Sequence, residues 1–167
     1  GNVVPHESGT TLRLLLPVAA SICNNVDVDA KGRLPDRPLE PMLGEMKAHG
    51  VIFSQDKPPF TMTGRLQGGQ FSMVGDVSSQ FFSGLLLAAP QCKGATITST
   101  TPLQSSDYVT LTTTTMADFG VMVDHAPSGN QIQESFTVAA NATFKGQTNY
   151  QIEGDWSNTA IWMVAAA

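Results

Sequence analysis

Met73-Val-Gly-Asp-Val-Ser-Ser-Gln-Phe-Phe-Ser-Gly-Leu-Leu-Leu-Ala-Ala89 reads as a strand end, a small polar turn and then an apolar helix. Ser78, Ser79 and Gln80 fall where the turn becomes the helix. The first N–H groups of a helix have no internal partners and carry the positive end of its dipole, so they suit an anion. Two hydroxyls and an amide there add donors for a phosphate. The same residues also serve as simple helix caps, and the stretch alone fits either role.

The frame of this stretch returns along the chain. Gly75-Asp76-x-Ser78 reappears as Gly154-Asp155-x-Ser157, and Met46 to Val51 is echoed by Met116 to Val121 with Gly50 and Gly120 in register. Leu15, Leu16 and Ala19 match Leu85, Leu86 and Ala89 at that same spacing. Self-similarity this long means that each repeat holds several elements.

Unit one, about residues 1–70, opens with Ser8-Gly9-Thr10-Thr11 and an apolar helix from Leu12 to Ala20. A strand follows over Asn25 to Asp29. Leu39, Met42, Leu43 and Met46 then have the spacing of one buried helix face, with Pro38 and Pro41 confining the start and Gly50 the end. Val51 to Ser54, Phe60 to Thr63 and Phe71 to Val74 read as strands. Unit two, about 71–150, repeats the order: a helix from Ser79 to Ala89, a strand over Ala95 to Ser99, a helix from Asp107 to Phe119, and strands at Val121 to Val123 and Phe136 to Val138. The β-branched Thr112 to Thr115 run opposes that second helix. The repeat favours it, and Tyr108, Leu111, Thr115, Met116 and Phe119 fall roughly on one face. Unit three starts at Gln151 and stops inside its first helix, so the sequence predicts an excised piece of a larger protein.

The 167 residues suffice for one domain with a core, and a net charge of −5 argues against a nucleic-acid surface. No apolar run is long enough for a bilayer and no signal peptide opens the chain, which with two unpaired-looking cysteines, Cys23 and Cys92, points to a cytoplasmic protein. His6, His49 and His125 lack metal-ligand spacing and are expected at the surface or in packing.

Three motifs, Glu7-Ser-Gly-Thr-Thr-Leu-Arg13, Asp36-Arg-Pro-Leu39 and Gly75-Asp-Val-Ser-Ser-Gln-Phe81, resemble the enolpyruvylshikimate-phosphate synthase family in content and order. The resemblance covers essentially the whole chain. It implies an α/β (α+β) fold of repeated βαβαββ units with helices inside and sheets outside, here one partial domain of a two-domain enolpyruvyl transferase. It also implies transfer of the enolpyruvyl group from phosphoenolpyruvate to the 5-hydroxyl of shikimate 3-phosphate, with loss of phosphate and no metal or organic cofactor. The family is the target of glyphosate.

By the same resemblance, Ser78, Ser79, Gln80, Ser105 and Tyr108 match shikimate 3-phosphate positions, while Gly9, Arg37 and Gln80 match phosphoenolpyruvate positions. Asp107 stands where the family has proline before the tyrosine, and its carboxylate opposes anion binding nearby. Thr10, Arg13 and Asp155 are supporting candidates. Arg13 lies one helical turn beyond Gly9 and fits either the same cleft or an ion pair with Asp155 or another acid; Asp155 fits a structural role. The family's proton-transfer groups, supplied by a second domain, have no counterpart here, so the chain alone is expected to position substrate without turning it over. The apolar faces of the terminal helices predict self-association. Two alternatives stay open: the sister transferase acting on UDP-N-acetylglucosamine, and a non-catalytic phosphometabolite-binding domain.

Overall fold

The computed structural model describes residues 1–128 and 133–166. Two four-stranded sheets share one strand order. In the first, β1 (Asn2–Val3), β2 (Asn25–Val28), β4 (Phe60–Gly64) and β3 (Val51–Phe53) lie side by side in that order. In the second, β5 (Gly69–Met73), β6 (Ala95–Ser99), β8 (Gln133–Val138) and β7 (Val123–Ser128) do the same. The first two strands of each sheet are parallel and the remaining pairings antiparallel.

The period of two along these strands separates core from solvent. Val26 opposes Met62 and Val28 opposes Phe60, all four buried; Ile97 opposes Phe136 in the second sheet, also buried. The alternate positions are polar and bond across the outer faces, as Thr61 to Asp27 and Thr96 with Thr137.

Helices α1 (Gly9–Ile22) and α3 (Ser79–Ala88) pack against each other, α1 on the first sheet and α3 on the second. α4 (Ser106–Asp118) packs beside α3, and α2 (Met42–Ala48) lies against β3 and β5 with Met42, Leu43 and Met46 in the core, so the helices are inside and the sheets outside. The core runs through Leu12, Leu16, Leu43, Met46, Phe81, Phe82 and Leu86. Burying these large side chains contributes about 1.5–3 kcal/mol each.

The α1–α3 contact depends on two residues that weaken helices elsewhere. Pro17 sits inside α1 and has no N–H to offer the carbonyl of Arg13 one turn earlier. Gly84 of α3 fits beside that carbonyl: a Cβ at position 84 would stand 2.4 Å from Arg13 O and 3.3 Å from Pro17 Cγ. Proline's notch and glycine's missing side chain thus let the two backbones approach.

Both units end their second helix on a left-handed glycine, Gly50 at φ 96° and Gly120 at φ 82°. α4 stays helical through its threonines because it packs on α3 with Val109 and Met116 buried; Thr112, Thr113 and Thr115 return their hydroxyls to the carbonyls of Tyr108, Thr110 and Leu111. Its buried residues are Val109 and Met116, whereas Tyr108 and Leu111 are exposed. The expected single apolar face is therefore two: one enters the core and the other, Leu111 and Phe119, borders a cavity, with the Phe119 ring 5.0 Å from that of Tyr150. The strand expected at Val121 begins at Val123; Val121 is buried outside the ladder, its N–H bonded to Met116 O. The last helix, α5 (Trp156–Ala165), exposes Ile161, Trp162, Met163 and Val164. The Ala167 end of the expected helix lies outside the described residues.

Candidate anion-binding site at two helix starts

The turn into α3 is held by a second loop. Gly75 N donates to Thr101 Oγ1 at 2.8 Å, and Gln104 N donates to Gly75 O at 2.9 Å. A Cβ on Gly75 would lie 2.7 Å from Thr101 O and 2.8 Å from both Leu103 Cα and Pro102 O. Glycine there allows the β5–α3 turn to touch the β6–α4 loop. That contact brings Ser78 and Ser105, far apart in sequence, to one place.

Ser78 caps α3 in extended conformation and its Oγ accepts from Gln80 N at 3.3 Å. The cap leaves its hydroxyl proton for another acceptor. Ser105 starts α4 with φ 55°, a left-handed conformation that costs a non-glycine residue about 1–2 kcal/mol, and makes no side-chain cap bond. A strained, uncapped serine opposite a helix start is consistent with a binding position. Ser78, Ser79, Gln80, Ser105, Tyr108 and Arg13 line one cavity of about 310 Å³ with Asp76, Val77 and Gln104.

α1 starts beside α3. Ser8 caps it, accepting from Thr11 N at 3.2 Å. Thr10 Oγ1 accepts from Gln80 Nε2 at 2.8 Å, and Arg13 Nη1 donates to Gln80 Oε1 at 3.0 Å. Arg13 Nη2 donates to Pro38 O at 3.1 Å, and its guanidinium carbon stands 5.4 Å from the Phe81 ring centre. Burial and the neighbouring Arg37 pull the Arg13 pKa down; the guanidinium nonetheless stays charged at neutral pH. Among the described residues, no carboxylate forms an ion pair with Arg13 or Arg37.

Gly9 lies under both guanidinium groups: a Cβ there would be 3.1 Å from Arg37 Nη1 and 3.8 Å from Arg13 Nη1. Arg37 opens on a separate polar cavity with Arg33 and Asp36. Arg13 thus stands between the serine-lined cavity and Arg37, bonded toward both. Asp155 lines neither; it borders a larger, apolar cavity with Leu111, Phe119, Tyr150 and Ile152. Asp107 is exposed in the first turn of α4 and is not among the residues lining the serine cavity.

Sequence reasoning did not assign Gln104, Asp76 or Arg33. Gln104 directly precedes Ser105 and Asp76 lies inside the quoted turn, so both were within the motifs without a role. Arg33 had no motif to mark it.

A family model for EPSP synthase (3-phosphoshikimate 1-carboxyvinyltransferase) matches residues 4–167. The chain belongs to this family. It is 38% identical to the 3-phosphoshikimate 1-carboxyvinyltransferase of Clostridium kluyveri, over 99% of this chain and 38% of that protein. The enzyme of the same name from Methanocorpusculum labreanum is 36% identical over 96% of this chain and 37% of its own length. The EPSP synthase structure from Acinetobacter baumannii superposes with a TM-score of 0.67 at 25% identity, covering 98% of this chain and 36% of that one. The chain therefore spans about 38% of the length of the EPSP synthase relatives it matches.

Proposed function

We propose that this chain forms the phosphate-binding part of a 3-phosphoshikimate 1-carboxyvinyltransferase, which moves the enolpyruvyl group of phosphoenolpyruvate onto the 5-hydroxyl of shikimate 3-phosphate and releases phosphate. The observation that supports it best is the convergence of Ser78, Ser79, Gln80, Ser105, Tyr108 and Arg13 on one cavity at the start of α3. Three hydroxyl donors and free helix N–H groups suit a dianionic phosphate, and Tyr108 offers a flat wall for the ring. Phosphoenolpyruvate would lie against Gly9, with Arg37 gripping its carboxylate or phosphate and Gln80 between the two ligands. The resulting proximity of the 5-hydroxyl to the enol carbon is the contribution these residues make to the reaction.

For the chain alone we propose binding without turnover. Neither lysine nor histidine lines the serine cavity, and its one carboxylate, Asp76, is exposed. Residues of about 1–70, 71–150 and 151–167 are proposed as successive repeat units of one partial domain, in keeping with the shared strand order of the two sheets; the strand expected at Phe71 to Val74 to close unit one instead opens the second sheet as β5. Its acidity argues against nucleic-acid partners, and a cytoplasmic location is proposed together with the family reading. No helix among the described residues is long and apolar enough to cross a membrane. The exposed Ile161 to Val164 face supports self-association, which sedimentation at rising concentration would read.

Calorimetric titration with shikimate 3-phosphate and, separately, with UDP-N-acetylglucosamine tests the assignment. Binding of the first but not the second is expected, and Ser78→Ala with Ser79→Ala should remove most of it. Preference for the nucleotide sugar, or undiminished affinity in the double variant, would place the site or the family member elsewhere.

A further inference from the structure

The two ends of the Gln80 amide are nearly alike in shape, and its neighbour Thr10 does not distinguish them. A hydroxyl donates or accepts, so Thr10 Oγ1 would bond equally to the oxygen or the nitrogen of the amide. Arg13 breaks that symmetry. A guanidinium only donates, so the Gln80 atom 3.0 Å from Nη1 is the carbonyl oxygen. The nitrogen is then turned to Thr10, 2.8 Å away, with one proton engaged and a second left for the cavity that Gln80 lines.

We propose that Arg13 is a positioning residue: it fixes the Gln80 amide as a donor toward the cavity, so that the site favours a group that only accepts, such as an ionised phosphate or carboxylate oxygen. The inference rests on the phosphate-binding reading for its ligand, but the orientation itself does not. Arg13 is well placed for the task. Its second arm is tied to Pro38 O, the Phe81 ring lies beneath it, and no carboxylate among the described residues diverts it. Its Nε is buried and has no hydrogen-bond partner among the described residues. Were the amide free to turn, half of its orientations would present an oxygen to the ligand's oxygen.

The test is Arg13→Met, which keeps an unbranched apolar stem and removes the donors. In the ligand-free chain, the side-chain amide signals of Gln80 in a nitrogen–proton spectrum should shift; unchanged signals would overturn the orientation. Affinity for shikimate 3-phosphate, measured by calorimetry, should fall about tenfold, the scale of one oriented hydrogen bond to a charged group. In a Gln80→Met background the same substitution should cost less than about twofold, because nothing remains to orient. Full, additive losses would show that Arg13 touches the ligand directly and would refute a positioning role. If Arg13→Met does not fold, Arg13→Gln replaces it: its amide accepts as well as donates, so it no longer dictates which end of Gln80 it meets. Wild-type amide signals in that variant would likewise overturn the proposal. An unsubstituted chain that binds no shikimate 3-phosphate would sink the proposed function, while the amide spectrum would still decide the orientation.

Discussion

Gly84→Ala sets two known effects against each other. Alanine is the better helix former by about 0.8–1.0 kcal/mol, so an exposed site would gain stability. At position 84, however, the new methyl would sit 2.4 Å from the carbonyl oxygen of Arg13, roughly 1 Å inside the ~3.3–3.6 Å at which carbon and oxygen normally meet. The obstacle is backbone of α1, not the end of a flexible side chain, and Pro17 blocks the alternative direction. Relief requires α1 and α3 to separate along the interface that joins the two sheets. Overpacking of this kind costs about 1–3 kcal/mol, and the top of that range applies because the yielding group is main chain. After subtracting the propensity gain, about 2 kcal/mol of net destabilisation is expected. For a chain of this size that lowers Tm by about 4–8 °C. Thermal and urea unfolding followed by circular dichroism would measure it. An unchanged or raised Tm would refute the close-approach account, since propensity would then have won.

Arg37→Lys keeps the charge but loses two-pronged geometry, so in a full-length relative carrying these motifs kcat/KM for phosphoenolpyruvate should fall about tenfold or more while shikimate 3-phosphate affinity holds; equal losses for both would assign Arg37 to scaffolding. Gly9→Ala meets the tip of Arg37 at 3.1 Å, a flexible obstacle, so stability should change by less than about 1 kcal/mol while Arg37's ligand binds more weakly; a several-fold affinity loss for that ligand, without a Tm change, is the expected signature, and an unchanged affinity would make Gly9 a turn residue only. Burial pushes the Cys92 thiol up to about 11 from its usual 9.0. The folded state therefore holds its proton where the unfolded state has lost it, so this contribution is complete below about pH 9 and is lost as pH rises through 11. Cys92→Ser should flatten the alkaline decline seen in urea midpoints; an identical slope would show that other groups cause it.

Much of the fold was legible because it is written twice. Gly50 and Gly120 close corresponding helices, and the repeat predicts a helix at Thr112 to Thr115 where β-branched residues alone favour a strand. What failed was the choice of face. Leu111 and Phe119 are as apolar as Val109 and Met116, and the packing of α4 on α3 puts the second pair in the core. At the site, Ser78, Ser79 and Gln80 could be found from one turn, since helix starts present donors wherever they occur. The partnership of Arg13 with Gln80 could not. It spans 67 positions and depends on where α1 crosses α3, which Pro17 and Gly84 set and no periodicity reports.

The two sheets are each completed within one continuous stretch, residues 2–64 and 69–138, and share no strand. Either half can therefore assemble from contacts near in sequence, the quick kind. Arg13 belongs to the first half and Ser78, Ser79, Gln80, Ser105 and Tyr108 to the second, so docking of the halves adds the one cationic wall of the pocket. A ligand that engages Arg13 as well as the serines acts as glue. At a free concentration a hundred times its Kd it would add about 2.7 kcal/mol against separation of the halves, more than Gly84→Ala is expected to remove.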